Sequence, residues 1–84
     1  MSYRLVYTQR AVKDIHKLDP KVKSRIGRAL LRLEIDPIGY AKRLTNFSSG
    51  TYRFRIGDYR AIFDIDGESI IILRVGHRRD IYRG

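Results

Sequence analysis

Cysteine is absent from this chain of 84 residues, which excludes both a disulfide scaffold and a thiolate metal site. Histidine is scarce: His16 and His77 stand near opposite ends, far outside the spacing of a local zinc site, so no metal is expected. No apolar run approaches the ~18 residues that a spanning helix needs. No charged-then-apolar leader precedes Tyr3, so the expected compartment is the reducing cytoplasm, with no membrane partner. Serine-centred nucleophile motifs, phosphate-binding glycine loops and paired carboxylates are missing as well. Negative charge is in short supply, since nine Asp and Glu face eighteen Lys and Arg for a formal net charge of +9. What is present suffices to fold. A hydrophobic share of 43% with 11% aromatics is too apolar for a disordered basic tail. This length has room for one core, so a single domain over residues 1–84 is expected. The positive surplus favours a polyanionic partner, either nucleic acid or an acidic protein.

Residues 2–7 are rich in aromatic and β-branched types and predict a strand. Thr8 is placed to cap a helix over residues 9–17, whose apolar stripe is Ala11, Ile15 and Leu18 with Val12 flanking. Asp19-Pro20 is a second start signal, an N-cap acceptor before proline at the first helical position. Val22, Ile26, Ala29, Leu30 and Leu33 then form one face of a second helix, and Lys21, Lys23, Arg25, Arg28 and Arg32 the other. Gly27 within it is explained by close helix packing. Asp36-Pro37 ends that helix, and residues 38–50 read as a surface crossing.

The period then changes from 3.6 to 2. Tyr52, Phe54 and Ile56 alternate with arginines, Tyr59, Ala61, Phe63 and Ile65 form a second alternating run, and residues 69–75 are almost wholly apolar. Gly57-Asp58 and Asp66-Gly67 are the short links of consecutive hairpins. The expected fold is α+β in the order β-α-α-β-β-β. A two-helix hairpin packs on one face of a mainly antiparallel four-stranded sheet.

A two-residue turn at Gly57-Asp58 pairs Ile56 with Tyr59, Phe54 with Ala61, Tyr52 with Phe63, and Arg55 with Arg60. The first three pairs make core. The fourth opposes two guanidinium groups, with Arg53 roughly 7 Å along the same face, an arrangement that destabilises a sheet unless an anion sits there. Solvated gatekeeper arginines are the structural alternative. On this reading Arg60 stands clear of the core, and its removal leaves folding unchanged or slightly improved. The last strand presents either Ile70 and Ile72 or Ile71, Leu73 and Val75 to the core. The second option is preferred and places Arg74 beside Arg60. Residues 76–82 gather His77, Arg78, Arg79 and Tyr82, read either as a basic tail anchored by Tyr82 or as part of the site. His16 reads as packing or surface.

The motifs Gly50-x-Tyr52-Arg53-x-Arg55-x-Gly57-Asp58-Tyr59-Arg60 and Arg74-Val75-Gly76-His77-Arg78, with Tyr82 near the end, resemble the RelE branch of the RelE/ParE toxin superfamily. The resemblance spans essentially the whole chain. It implies a RelE-like fold and a cytoplasmic toxin of a type II toxin-antitoxin pair, acting without metal or cofactor. Such a toxin enters the ribosomal A site and cuts messenger RNA. Its implied partners are an acidic antitoxin, the ribosome and messenger RNA, with operator DNA reached only through the antitoxin. Carried onto this chain, the catalytic set is Arg55, Arg60, Arg78 and Tyr82, with His77 the nearby group that titrates near neutrality. Arg53, Arg74 and Arg79 are the accompanying RNA contacts. The best-known member has lysines where this chain has Arg53 and Arg55, and a guanidinium cannot serve as a base. No general base is identifiable from the motif. The spacing from Arg78 to Tyr82 is also shorter here. Two alternatives stand beside this reading: a ParE-like inhibitor of DNA gyrase, and a non-catalytic nucleic-acid-binding module.

Overall fold

The computed structural model describes residues 3–43 and 51–81. Strand β1 (Arg4–Tyr7) leads into helix α1 (Gln9–His16), helix α2 (Pro20–Leu31) and a 3₁₀ turn (Arg32–Glu34). A single-turn helix α3 (Pro37–Tyr40) and the strands β2 (Ala41–Arg43), β3 (Thr51–Ile56), β4 (Tyr59–Asp66) and β5 (Ser69–His77) follow. The sheet order is β1-β5-β4-β3-β2, with β1 parallel to β5 and the other neighbours antiparallel.

Local chemistry sets the helix starts. Thr8 Oγ1 accepts the Ala11 N–H at 3.1 Å and donates to the Ile72 carbonyl at 2.9 Å, so one hydroxyl opens α1 and ties it to β5. Asp19 occupies the N-cap of α2 but its side chain makes no capping bond, so Pro20 carries that start. Asp36 caps α3 instead, accepting the Gly39 N–H at 2.9 Å. Ala11, Ile26, Ala29, Leu30 and Leu33 pack from the helical layer onto Phe54, Ile56, Ala61, Phe63, Ile70, Ile72 and Val75. Phe63 is fully buried, a contribution of about 1.5–3 kcal/mol for a side chain of this kind.

Four expectations change. The sheet has five strands rather than four, because the segment read as a surface crossing contains α3 and β2. Ala41 pairs with Phe54 and packs against the core, which turns Lys42, the partner of Arg53, to the other face. The second hairpin turns at Gly67-Glu68, with Asp66 opposite Ser69, rather than at Asp66-Gly67. A positive φ is needed at the first turn position, and Gly67 supplies it at +60°, as Gly57 does in the first hairpin. Strand β5 sends inward Ile70 and Ile72 and also Val75, because a bulge opposite the Ile62–Phe63 step shifts the alternation by one residue. Arg74 therefore pairs with Ile62, and Gly76, not Arg74, lies opposite Arg60. Finally, Gly27 makes no close packing contact, since a Cβ built there meets nothing within 4 Å.

Candidate nucleic-acid interface

The first hairpin adopts the register that its two-residue turn dictates, with Arg55 opposite Arg60 and Arg53 opposite Ile62. Arg53, Arg55 and Arg60 line a concavity of about 220 Å³ together with Tyr40 and Lys42. Among the described residues no carboxylate lines it. Tyr40 comes from α3 and Lys42 from β2, elements that sequence periodicity does not reveal. The only available signal was the alternation of Ala41 and Lys42, too short to read as a strand.

Arg60 differs most from expectation. Its residue surface is only 7% exposed, and Nη1 donates to the carbonyls of Gly57 at 2.8 Å and Tyr59 at 2.9 Å. One edge of the guanidinium thus fastens the hairpin turn, and the expectation that Arg60 stands clear of the core is overturned. Nη1 accounts for two of its five N–H donors, so the fork keeps Nε and Nη2 for a ligand. Arg55 is exposed and lines two cavities. The second is a groove of about 740 Å³ between α2 and the end of β3, lined by Lys21, Arg25, Arg28, Arg32 and Arg55 and, among the described residues, by no acidic side chain. These five cations extend the positive surface from the hairpin face onto α2.

The segment after β5 folds back as a turn, with the Asp80 and Ile81 N–H groups donating to the His77 carbonyl at 2.9 and 3.0 Å. Ile81 is buried and its Cδ1 lies over Gly76. The Arg78 N–H donates to the Asp58 carbonyl at 2.7 Å, and its Nε stands 4.0 Å from Asp58 Oδ1. Arg78 is thereby brought to the turn that Arg60 fastens, with 60% of its side chain exposed.

The remaining candidates are placed elsewhere. Arg74 Nε is bonded to Asp14 Oδ2 of α1 at 2.8 Å, and that same oxygen accepts the Val75 N–H at 3.0 Å. Asp14 is only 10% exposed at its side chain, so Arg74 serves a joint between α1 and β5. His77 packs edge-on against Tyr59, ring centroids 5.4 Å apart, on the side of the sheet where Tyr59 meets the core. Its Nδ1 accepts the Arg79 N–H at 3.2 Å, which in the neutral ring leaves the proton on Nε2. Arg79 is exposed, and Tyr82 lies outside the described residues. Among the described residues no three His, Asp or Glu side chains converge on one point.

A third surface is apolar. Tyr7, Val12, Ile15, Ile26, Gly27 and Leu30 line a groove of about 370 Å³ between α1 and α2, rimmed by His16 and Lys23. Burial pushes the Tyr7 phenol above its usual 10.0, and the charge of Glu34 adds to the shift.

The family model described as ParE toxin of type II toxin-antitoxin system, parDE, matches residues 5–82. The chain is 38% identical over 86 residues to Toxin RelG of Mycobacterium tuberculosis, covering 99% of each. It is 30% identical over 88 residues to Toxin RelE3 of Methanocaldococcus jannaschii, covering 94% of each. The solved toxin-antitoxin complex RelBE2 from Mycobacterium tuberculosis matches with a TM-score of 0.85 at 33% identity, covering 93% of this chain and 100% of the other.

Proposed function

Because this chain belongs to the ParE toxin family of type II toxin-antitoxin systems, in the RelE branch of the RelE/ParE superfamily, we propose that it is an endoribonuclease that cuts messenger RNA in the ribosomal A site. The observation that carries this reading is the concavity lined by Arg53, Arg55 and Arg60, with no carboxylate among the described residues of its lining. Like charges opposed across a hairpin are tolerated when an anion lies between them. The chemistry is attack of the 2′-hydroxyl on its own phosphodiester without a metal, through a phosphorane whose added charge must be stabilised. Guanidinium forks hold phosphate oxygens bidentately and suit that task. Arg55 and Arg60 clamp the scissile phosphate from the hairpin, Arg78 from the turn beside it, and Arg53 holds the adjoining backbone. The α2 groove continues the path for phosphates. Tyr82 stacks on a base, while His77, turned toward Tyr59, acts at the edge of the site through Nε2–H. Alignment of the message by the ribosome supplies the in-line geometry, an effect worth several kcal/mol.

An acidic antitoxin is the proposed partner. The chain carries a net charge of +9, and the matched RelBE2 structure is a toxin-antitoxin complex. The apolar groove between α1 and α2, framed by basic residues, suits an amphipathic acidic segment.

Primer extension on message from a translation reaction, with and without the protein, tests the function. New stops inside codons are expected. An intact message together with blocked supercoiling by purified DNA gyrase would favour the gyrase-inhibiting reading.

A further inference from the structure

The cleavage proposed above needs a group that takes the proton from the 2′-hydroxyl. Arginine cannot, because its guanidinium stays protonated at any pH a protein survives. Of the five described residues lining the concavity, three are Arg53, Arg55 and Arg60, which leaves Tyr40 and Lys42. Tyr40 is held at the rim, 52% exposed, with its ring edge-on to Phe54 at 6.4 Å, and a neutral phenol is a far weaker proton acceptor than an amine. Lys42 is placed by its strand. Ala41 packs inward opposite Phe54, so Lys42 projects outward beside its cross-strand partner Arg53, onto the face that carries Arg55 and Arg60.

The other titratable groups described nearby do not line the concavity. His77 lies against Tyr59 on the core side of the sheet. Asp64 shares the outer face and is half-buried, its Oδ1 without a hydrogen-bond partner among the described residues, and it does not line the concavity. Asp58 stands beside Arg78 at the turn and does not line the concavity.

We propose that Lys42 is the general base of the cleavage step. Its neutral Nζ accepts the 2′-hydroxyl proton as the 2′-oxygen forms a bond to phosphorus. The P–O5′ bond breaks, and the 5′-oxygen takes a proton from water. A 2′,3′-cyclic phosphate and a 5′-hydroxyl result, and the Lys42 ammonium returns its proton to solvent. The groups facing the amine are Tyr40 from α3, Arg53 and Arg55 from β3, and Arg60 from β4. The role places a base on β2, upstream of the hairpin whose positions carry arginine in this chain.

The proposal rests on the messenger-cleavage reading, and the test separates the two. Single-turnover cleavage of ribosome-bound message is measured from pH 6 to 9 for the parent, Lys42→Arg and Lys42→Ala, with melting temperatures alongside. The parent rate should climb with pH across this range, as it does when the acceptor of a proton acts in its neutral form. Lys42→Arg keeps the charge and should still lose about a hundredfold or more in rate. Lys42→Ala should lose as much and recover in part with added methylamine. Parental activity in Lys42→Arg overturns the assignment and reduces Lys42 to a phosphate contact. A parent that leaves the message intact at every pH removes the cleavage reading itself, and the role of Lys42 with it.

Discussion

Arg60 and Arg55 sit opposite each other and do different work. Arg60 is buried and gives Nη1 to two carbonyls of its own turn, so Arg60→Ala strands both acceptors and should cost about 1–3 kcal/mol of stability. Arg55 is exposed, so Arg55→Ala should shift stability by no more than about 0.5 kcal/mol. Both should lower cleavage by about a hundredfold, as removal of one charge-stabilising donor does elsewhere. Chemical denaturation of the two variants beside a single-turnover assay checks the distinction. Equal stability losses would mean that the turn is held by something other than Arg60. The facing of these two arginines was legible in the sequence because a two-residue turn leaves only one register. The burial of Arg60 was not. Alternation marks the face of a strand and cannot register that a returning segment brings Ile81 down over Gly76, directly opposite Arg60.

At the scale of elements, the joints between helices and sheet carry the information that periodicity missed. Asp14 receives both the Arg74 guanidinium and the Val75 N–H just past the bulge, and it does so with its side chain nearly out of solvent. Asp14→Ala leaves a buried donor and a cation unpaired and should destabilise by about 1–3 kcal/mol, while Lys13→Ala on the same helix should be near neutral. Similar melting temperatures for the two would contradict the joint. Gly27→Ala should raise stability by up to about 1 kcal/mol, because the helix loses a poor former and the added Cβ meets no neighbour. A fall in melting temperature would show that the glycine serves the adjacent groove's packing after all. The helices were legible from their stripes, and β3 and β4 from strict alternation. Strand β5 was ambiguous because both of its faces are apolar, so nothing in its composition could reveal the bulge. Strand β2 was hidden by its brevity, and with it Lys42.

At the scale of the whole molecule, the charge is unevenly placed. Cations from α2, β2, β3 and β4 line two cavities that meet at Arg55, with no carboxylate in either lining among the described residues. Association with an acidic antitoxin should therefore slow steeply between low and physiological salt, whereas dissociation should change little. Stopped-flow rates at two ionic strengths measure this, and a salt-independent association rate would count against electrostatic steering. The central claim is that the positive hairpin face cuts ribosome-bound message. It is tested most directly by mapping cleavage sites on a translating message for the parent, Arg55→Ala and Lys13→Ala at matched concentrations. The account predicts stops within codons for the parent and Lys13→Ala, and their near-complete loss in a fully folded Arg55→Ala protein. Undiminished stops with Arg55→Ala, or none with the parent, would contradict it.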